Sequence, residues 1–121
     1  MKLWELEVYK LAREISKDSW IIYKRFDWRM KKTIGDQWIR AVDSISANIA
    51  EGFGRFHYAD KNKFNYNTRG SLFESLDWTE KLQERQMMSR EEFNILKDGL
   101  QNCHKMLNSY IRSTKIKLHS Y

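Results

Sequence analysis

Four stretches of this sequence repeat apolar residues at steps of three and four, a spacing that gathers them on one side of an α-helix and that a pleated strand cannot use. The clearest is Phe93, Leu96, Leu100, Cys103, Leu107, Tyr110 and Thr114, which reads as an a/d seam of about three heptads. Ser89-Arg90-Glu91-Glu92 just ahead of it has the form of a capping box, with the serine oxygen placed to accept from the amide at Glu92. Trp4, Val8, Leu11, Ile15 and Ile22 form the first stripe, which Trp20, Tyr23 and Phe26 widen towards its end. Ile34, Trp38, Ala41, Val42, Ile45, Ile49 and Phe53 form the second. The third, Phe64, Thr68, Ser71, Leu72, Ser75, Leu76, Thr79 and Leu82, is rich in small residues that let helices approach closely.

This pattern predicts helices over residues 4–26, 33–53, 61–86 and 90–115, followed by a frayed basic tail over 116–121. The first connection is expected around residues 27–33. Gly52 and Gly54 are expected to close the second helix in the left-handed conformation, and Asp60 to serve as the N-cap of the third. Gly70, inside that helix, costs about 1 kcal/mol in propensity relative to alanine, so close packing is the expected offset. The sequence has no proline and only five glycines, too little turn chemistry for a sandwich or barrel. A chain of 121 residues fits one domain. Four amphipathic rods with short connections bury their stripes most simply as an all-α, antiparallel up-down-up-down four-helix bundle.

One cysteine permits no disulfide within the chain and suits a reducing compartment. Met1 to Glu7 carries acids where a signal peptide needs an apolar run, and no stretch is long and apolar enough to span a bilayer. A cytoplasmic protein without a membrane partner is expected. Five tryptophans are more than four seams need, so some are expected outside, where they suit self-association.

The residues that carry chemistry are scattered. No Glu-x-x-His pair exists to hold metals inside a bundle. Cys103 and His104 are neighbours, about 100° apart around a helix, and cannot share one ion. Cys103 falls on the seam and reads as core, while His57 and His119 stand alone in a loop and a tail. Gly52-Phe53-Gly54-Arg55 follows a helix and lacks the third glycine of a dinucleotide loop. Glu91 and Glu92 lie in a first helical turn, which favours negative charge. No catalytic residue, metal or cofactor is expected.

The cations are organised. Lys24, Arg25, Arg29, Lys31 and Lys32 cluster around the first connection, and Arg55, Lys61, Lys63 and Arg69 run along the second connection and the start of the third helix, with Lys115 and Lys117 near the end of the fourth. Alternate connections of an up-down bundle share an end, so these form two patches at opposite ends. Phe56, Tyr58, Phe64 and Tyr66 interleave with the second patch, a combination able to stack single-stranded bases beside phosphate-binding cations. A formal net charge of +6 favours anionic partners.

In the run Gln37-x-x-Arg40-Ala41-x-x-Ser44-Ile45-x-x-Asn48-Ile49-Ala50-Glu51-Gly52-x-Gly54-Arg55, the chain resembles the four-helix-bundle proteins of the 23S rRNA intervening-sequence family, also called S23-like. Leu6-Glu7-Val8-Tyr9 with Ala12, and Gly70-Ser71-Leu72-x-Glu74, extend the resemblance over nearly the whole length. Asp27 and Ala47 stand where that family usually has proline, and Asn67 and Thr68 where its third helix is usually alanine-rich. The resemblance implies a ring-shaped homo-oligomer, often a homopentamer, with a basic surface directed at RNA or DNA. Related accessory proteins of retroelements bind a reverse transcriptase, which makes a protein-binding adaptor the alternative reading. Arg40, Asn48, Glu51 and Arg55 match the family's polar motif and are expected to hydrogen-bond between helices or subunits, a structural use shared with Gln37, Gly52, Gly70 and Ser71.

Overall fold

A computed structural model describes residues 1–119 of the chain. A 3-10 turn, Leu3–Glu5, precedes α1 (Glu7–Tyr23); α2 (Trp28–Met30), a π-helical stretch Lys31–Gly35 and α3 (Asp36–Phe53) follow one another without a break; α4 (Tyr58–Glu84) and α5 (Arg90–His119) complete the fold. Four long rods result, with no strand among the described residues. Each rod packs on two others, α1 on α3 and α5, and α4 on α3 and α5. The bundle expected from the periodicity is therefore the one observed.

The core consists of the predicted stripes, except that Trp4 and Trp20 of the first stripe are exposed. Val8, Ala12, Ile15 and Ile22 of α1 meet Trp38, Val42, Ile45 and Ile49 of α3, with Leu96, Leu100, Cys103 and Leu107 of α5 closing the interior. The α4 face is the polar one, since Asn62, Asn65, Thr68, Ser75 and Thr79 are buried along it. Burial of such groups is tolerable only with partners, and each has one. Asn65 Nδ2 donates to Asn62 Oδ1 at 3.0 Å, Thr68 Oγ1 to the Phe64 carbonyl at 2.9 Å, and Ser75 Oγ to the Ser71 carbonyl at 2.7 Å. Thr79 Oγ1 donates to the Ser75 carbonyl and accepts from the Trp38 indole at 3.2 Å. That last bond lets the largest core side chain be 0% exposed.

Several local expectations are corrected. The first helix ends at Tyr23 rather than residue 26, and the second begins at Trp28 rather than 33, because the Asp27 carboxylate accepts from the Met30 amide at 2.8 Å and caps a new helix. Phe26 turns inward between them, its ring 6.0 Å from that of Trp38. His57, not Asp60, occupies the N-cap of α4, so Asp60 is a first-turn acid. Gly54 is right-handed, and no glycine among the described residues has positive φ. Gly52 is instead a close-approach position: a Cβ there would lie 2.9 Å from Phe64 Cβ and 3.1 Å from the Lys61 carbonyl. Gly70, expected to be closely packed, is exposed and a Cβ on it would meet nothing within 4 Å.

The third helix stops at Glu84, not 86. Met87 N–H donates to the Leu82 carbonyl and Gln86 N–H to that of Gln83, the two bonds of a Schellman motif, with Gln86 in the left-handed region at φ 58°. The capping box of α5 forms as predicted: Glu92 N–H donates to Ser89 Oγ at 3.0 Å and Ser89 N–H to Glu92 Oε1 at 2.9 Å. Far from fraying after residue 115, α5 continues to His119; residues 120–121 of the expected tail lie outside the described residues. Trp4, Trp20 and Trp28 are largely exposed, as their number suggested.

Candidate nucleic-acid interface

The first connection and the start of α5 share one end of the bundle, held by Arg25 Nη2 donating to Glu92 Oε1 at 2.9 Å. That hydrogen bond is the main reason the Glu92 carboxyl is held below its ordinary range. It also takes Arg25 out of the set of free cations. Lys31 lies 5.1 Å over the Tyr23 ring. Lys24, Arg29 and Lys32 are exposed around them, beside the exposed indole of Trp28.

The opposite end is more fully assembled. Because α5 stays helical, its last turns reach the loop between α3 and α4, where Leu118 joins Arg55, Phe56, His57 and Tyr58 around one hollow. Lys61 Nζ donates to the Phe53 carbonyl at 2.8 Å. Its pKa is lowered, first by burial and then by the neighbouring Lys117, which brings cations from α4 and α5 together. Arg55 pairs with Glu51 at 2.7 Å and lies 4.8 Å over the Phe64 ring. Phe56, 90% exposed, projects from the loop, and Lys63 is exposed near the start of α4. Arg69 and Lys115 both sit over the Tyr66 ring, at 5.4 and 5.6 Å. The predicted interleaving of cations with aromatics is present here, although Phe64 and Tyr66 are already covered by the protein's own cations.

Within one chain the motif of α3 makes its bonds along its own helix rather than to another helix. Arg40 Nε donates to the Asp36 carbonyl at 3.4 Å, Ser44 Oγ to that of Arg40 at 2.8 Å, and Asn48 Nδ2 to that of Ser44 at 2.9 Å. With Glu51 and Arg55 they form a ladder along one outward side of α3, and none of these bonds crosses to another helix. The reason is spacing: steps of four keep each group within reach of the preceding turn. Gln37 and Gly70 are exposed and Ser71 is half-buried, its carbonyl serving Ser75. Of the motif's polar and glycine positions, Gly52 by its close approach to α4 and Arg55 over the Phe64 ring act between elements.

Sequence inspection missed Arg112, Asn108 and Phe73 and weighed His104 only as a metal ligand; with Arg69, Ile111 and Lys115 these residues line a groove between α4 and α5. A signal was present. His104, Asn108, Arg112 and Lys115 recur at steps of four, four and three alongside the apolar seam.

Among the described residues no group of three metal-binding side chains comes together, and no helix is long and apolar enough to cross a membrane. Cys103 is buried, and burial pushes its thiol up to about 12. Because the thiolate is the reactive form, Cys103 is expected to resist a disulfide reagent at pH 8 in the native protein. Full labelling on addition of denaturant is the expected contrast, and fast native labelling would contradict the burial.

A search of curated proteins found no significant match. The crystal structure of a protein with unknown function from the S23 ribosomal protein family of Bacteroides thetaiotaomicron VPI-5482 is similar in fold. Its TM-score is 0.75 at 21% sequence identity, with 85% of this chain and 96% of that chain covered. The family model described as 23S rRNA-intervening sequence protein matches residues 4–109; spanning most of the sequence, that match places the chain in the 23S rRNA-intervening sequence protein family.

Proposed function

We propose that this protein is a noncatalytic, cytoplasmic, self-associating accessory protein that binds nucleic acid through the end of the bundle where α5 meets the α3–α4 loop. The observation that carries the reading is the convergence there of Lys61 and Lys117 beside the exposed ring of Phe56. Cations attract the phosphate backbone, and an exposed ring offers a face to an unpaired base. The net charge of +6 adds a long-range attraction, multiplied by the number of copies in an assembly. Self-association is favoured by Trp20, half-exposed at a groove lined by the small residues Ser16, Ser46, Ala47 and Ala50 and by charges of both signs, Arg13 and Lys17 with Glu14 and Asp43. Small residues flanking a bulky apolar one suit a contact between copies, and a homopentameric ring is the expected form.

Binding measured against salt tests the reading. Contacts to about five phosphates predict a log–log slope near −4.5 on duplex DNA and near −3.5 on a single strand. Salt-independent binding, or none to either RNA or DNA, overturns it. The second reading, an adaptor that docks another protein such as a reverse transcriptase, draws on Trp4 and Trp28, both largely exposed. Capture of a defined partner that survives nuclease treatment and is lost on Trp28→Ala would favour it.

A further inference from the structure

We infer that the groove between α4 and α5 is a subsite for one unpaired nucleotide, its phosphate held by Arg69, Arg112 and Lys115 and its base stacked on Phe73. This rests on the nucleic-acid reading above and assigns it a place and a strand preference. The groove is lined by Arg69, Phe73, His104, Asn108, Arg112 and Lys115, and no acidic side chain lines it.

The cations of this groove are not engaged in ion pairs with other described residues. The ion pairs among the described residues join Lys10 to Glu7, Arg25 to Glu92, Arg55 to Glu51, Lys81 to Asp77 and Lys97 to Glu80. None involves Arg69, Arg112 or Lys115. Like charges gathered without a counterion repel one another, and an anion among them relieves that repulsion. Arg69 and Lys115 approach the same Tyr66 ring, while Arg112 lies one turn before Lys115 and spends one bond on Ser109.

The groove is also pre-arranged. Arg69 Nη2 donates to Asn108 Oδ1 at 3.0 Å, and because a guanidinium cannot accept, this contact fixes which way the carboxamide faces. Asn108 Nδ2 then lies 3.3 Å from His104 Nε2, which ties the imidazole into the same network. The His104 ring in turn meets Phe73 edge to face, with centroids 5.0 Å apart. Arg69 Nε is buried without a partner, and the guanidinium retains donors beyond the one given to Asn108.

Phe73 decides the class of ligand. It is 50% exposed, although it lies between cations that a free phosphate would use without it. A phosphate next to a stackable base satisfies both features, and in a duplex the bases are already stacked on one another and out of reach. The ligand is therefore a single strand.

The test compares binding of a short oligouridylate and of a short duplex to the full-length wild-type protein, to Phe73→Ala and to the double variant Arg112→Gln/Lys115→Gln. Phe73→Ala is expected to weaken single-strand binding about tenfold and to leave duplex binding unchanged. The double variant is expected to lower the single-strand salt slope by about 1.4. Both changes are at exposed positions, and an unchanged helical circular dichroism spectrum verifies folding. Ultraviolet crosslinking supplies an independent readout, with the oligouridylate expected on the peptide containing Phe73. Wild-type-like single-strand affinity in both variants, with crosslinks confined to Phe56, would overturn the subsite and leave the nucleic-acid reading standing. Absence of binding by the wild-type protein would overturn both.

Discussion

Replacing Trp38 by alanine is expected to lower the free energy of unfolding by about 3–5 kcal/mol, the usual range for truncating a large buried aromatic. The side chain is 0% exposed, and α3 carries it into the bundle against Phe26 and the hydroxyl of Thr79. Truncation would leave a cavity between α3, α4 and the first connection that the packed rods cannot collapse to fill. Because a domain of this size is typically stable by only ~5–15 kcal/mol, the variant should unfold at a much lower urea midpoint. Trp38→Phe separates the contributions: it keeps an aromatic ring but removes the indole N–H. Thr79 retains its own bond to Ser75, so no buried donor is stranded, and a loss of about 1 kcal/mol is expected from the bond itself, with a further loss from the smaller ring. A Trp38→Phe variant as unstable as Trp38→Ala would mean that the hydrogen bond, not the volume, holds this part of the core.

The same residue illustrates what could be read from the sequence. Trp38 sits on an apolar stripe at helical spacing, and that spacing alone places it inside. The stripe of α5 was equally legible, because seven residues at alternating steps leave little freedom in which face is buried. The inner side of α4 was legible in part: Thr68, Ser75 and Thr79 were assigned to it, but Asn62 and Asn65 were not. An amide is buried when another group satisfies it, and the partner here is itself an amide one turn away. Helix ends were the least legible. Gln86 adopts the left-handed conformation at the end of α4 without the glycine that normally announces it, and Asp27 caps a helix inside what reads as a charged connection.

The basic surface followed the same logic. Up-down topology is enough to place the cations in two patches, since it depends only on the order of the rods. Whether a given cation is available depends on its partners, and no linear pattern foretells that Arg25 meets Glu92 across the bundle end. Lys117 reads as a member of a loose tail because no acid follows Asp98. Kept helical, it instead stands beside Lys61. The hollow at the α3–α4 loop, which Leu118 helps to line, owes its shape to this continuation of α5.

Gly52→Ala and Gly70→Ala are expected to move stability in opposite directions, although both place the same methyl group in a helix. At Gly52 the new Cβ would lie 2.9 Å from Phe64 Cβ and 3.1 Å from the Lys61 carbonyl. Neither atom is the end of a flexible chain, so α3 and α4 must separate, and overpacking of this kind typically costs about 1–3 kcal/mol. The consequence reaches the surface. Lys61 is anchored on the Phe53 carbonyl and Arg55 on the Phe64 ring, so moving the first turns of α4 disturbs both contacts and is expected to weaken nucleic-acid binding in protein that remains folded. At Gly70 a Cβ meets nothing within 4 Å, and alanine there is expected to stabilise the helix by up to about 1 kcal/mol. Equilibrium unfolding of both variants measures the pair. A destabilised Gly70→Ala monomer would contradict the open position described here. A stable Gly70→Ala monomer that no longer self-associates would place the bare backbone of Gly70 against a second copy, the close packing that the isolated chain does not provide.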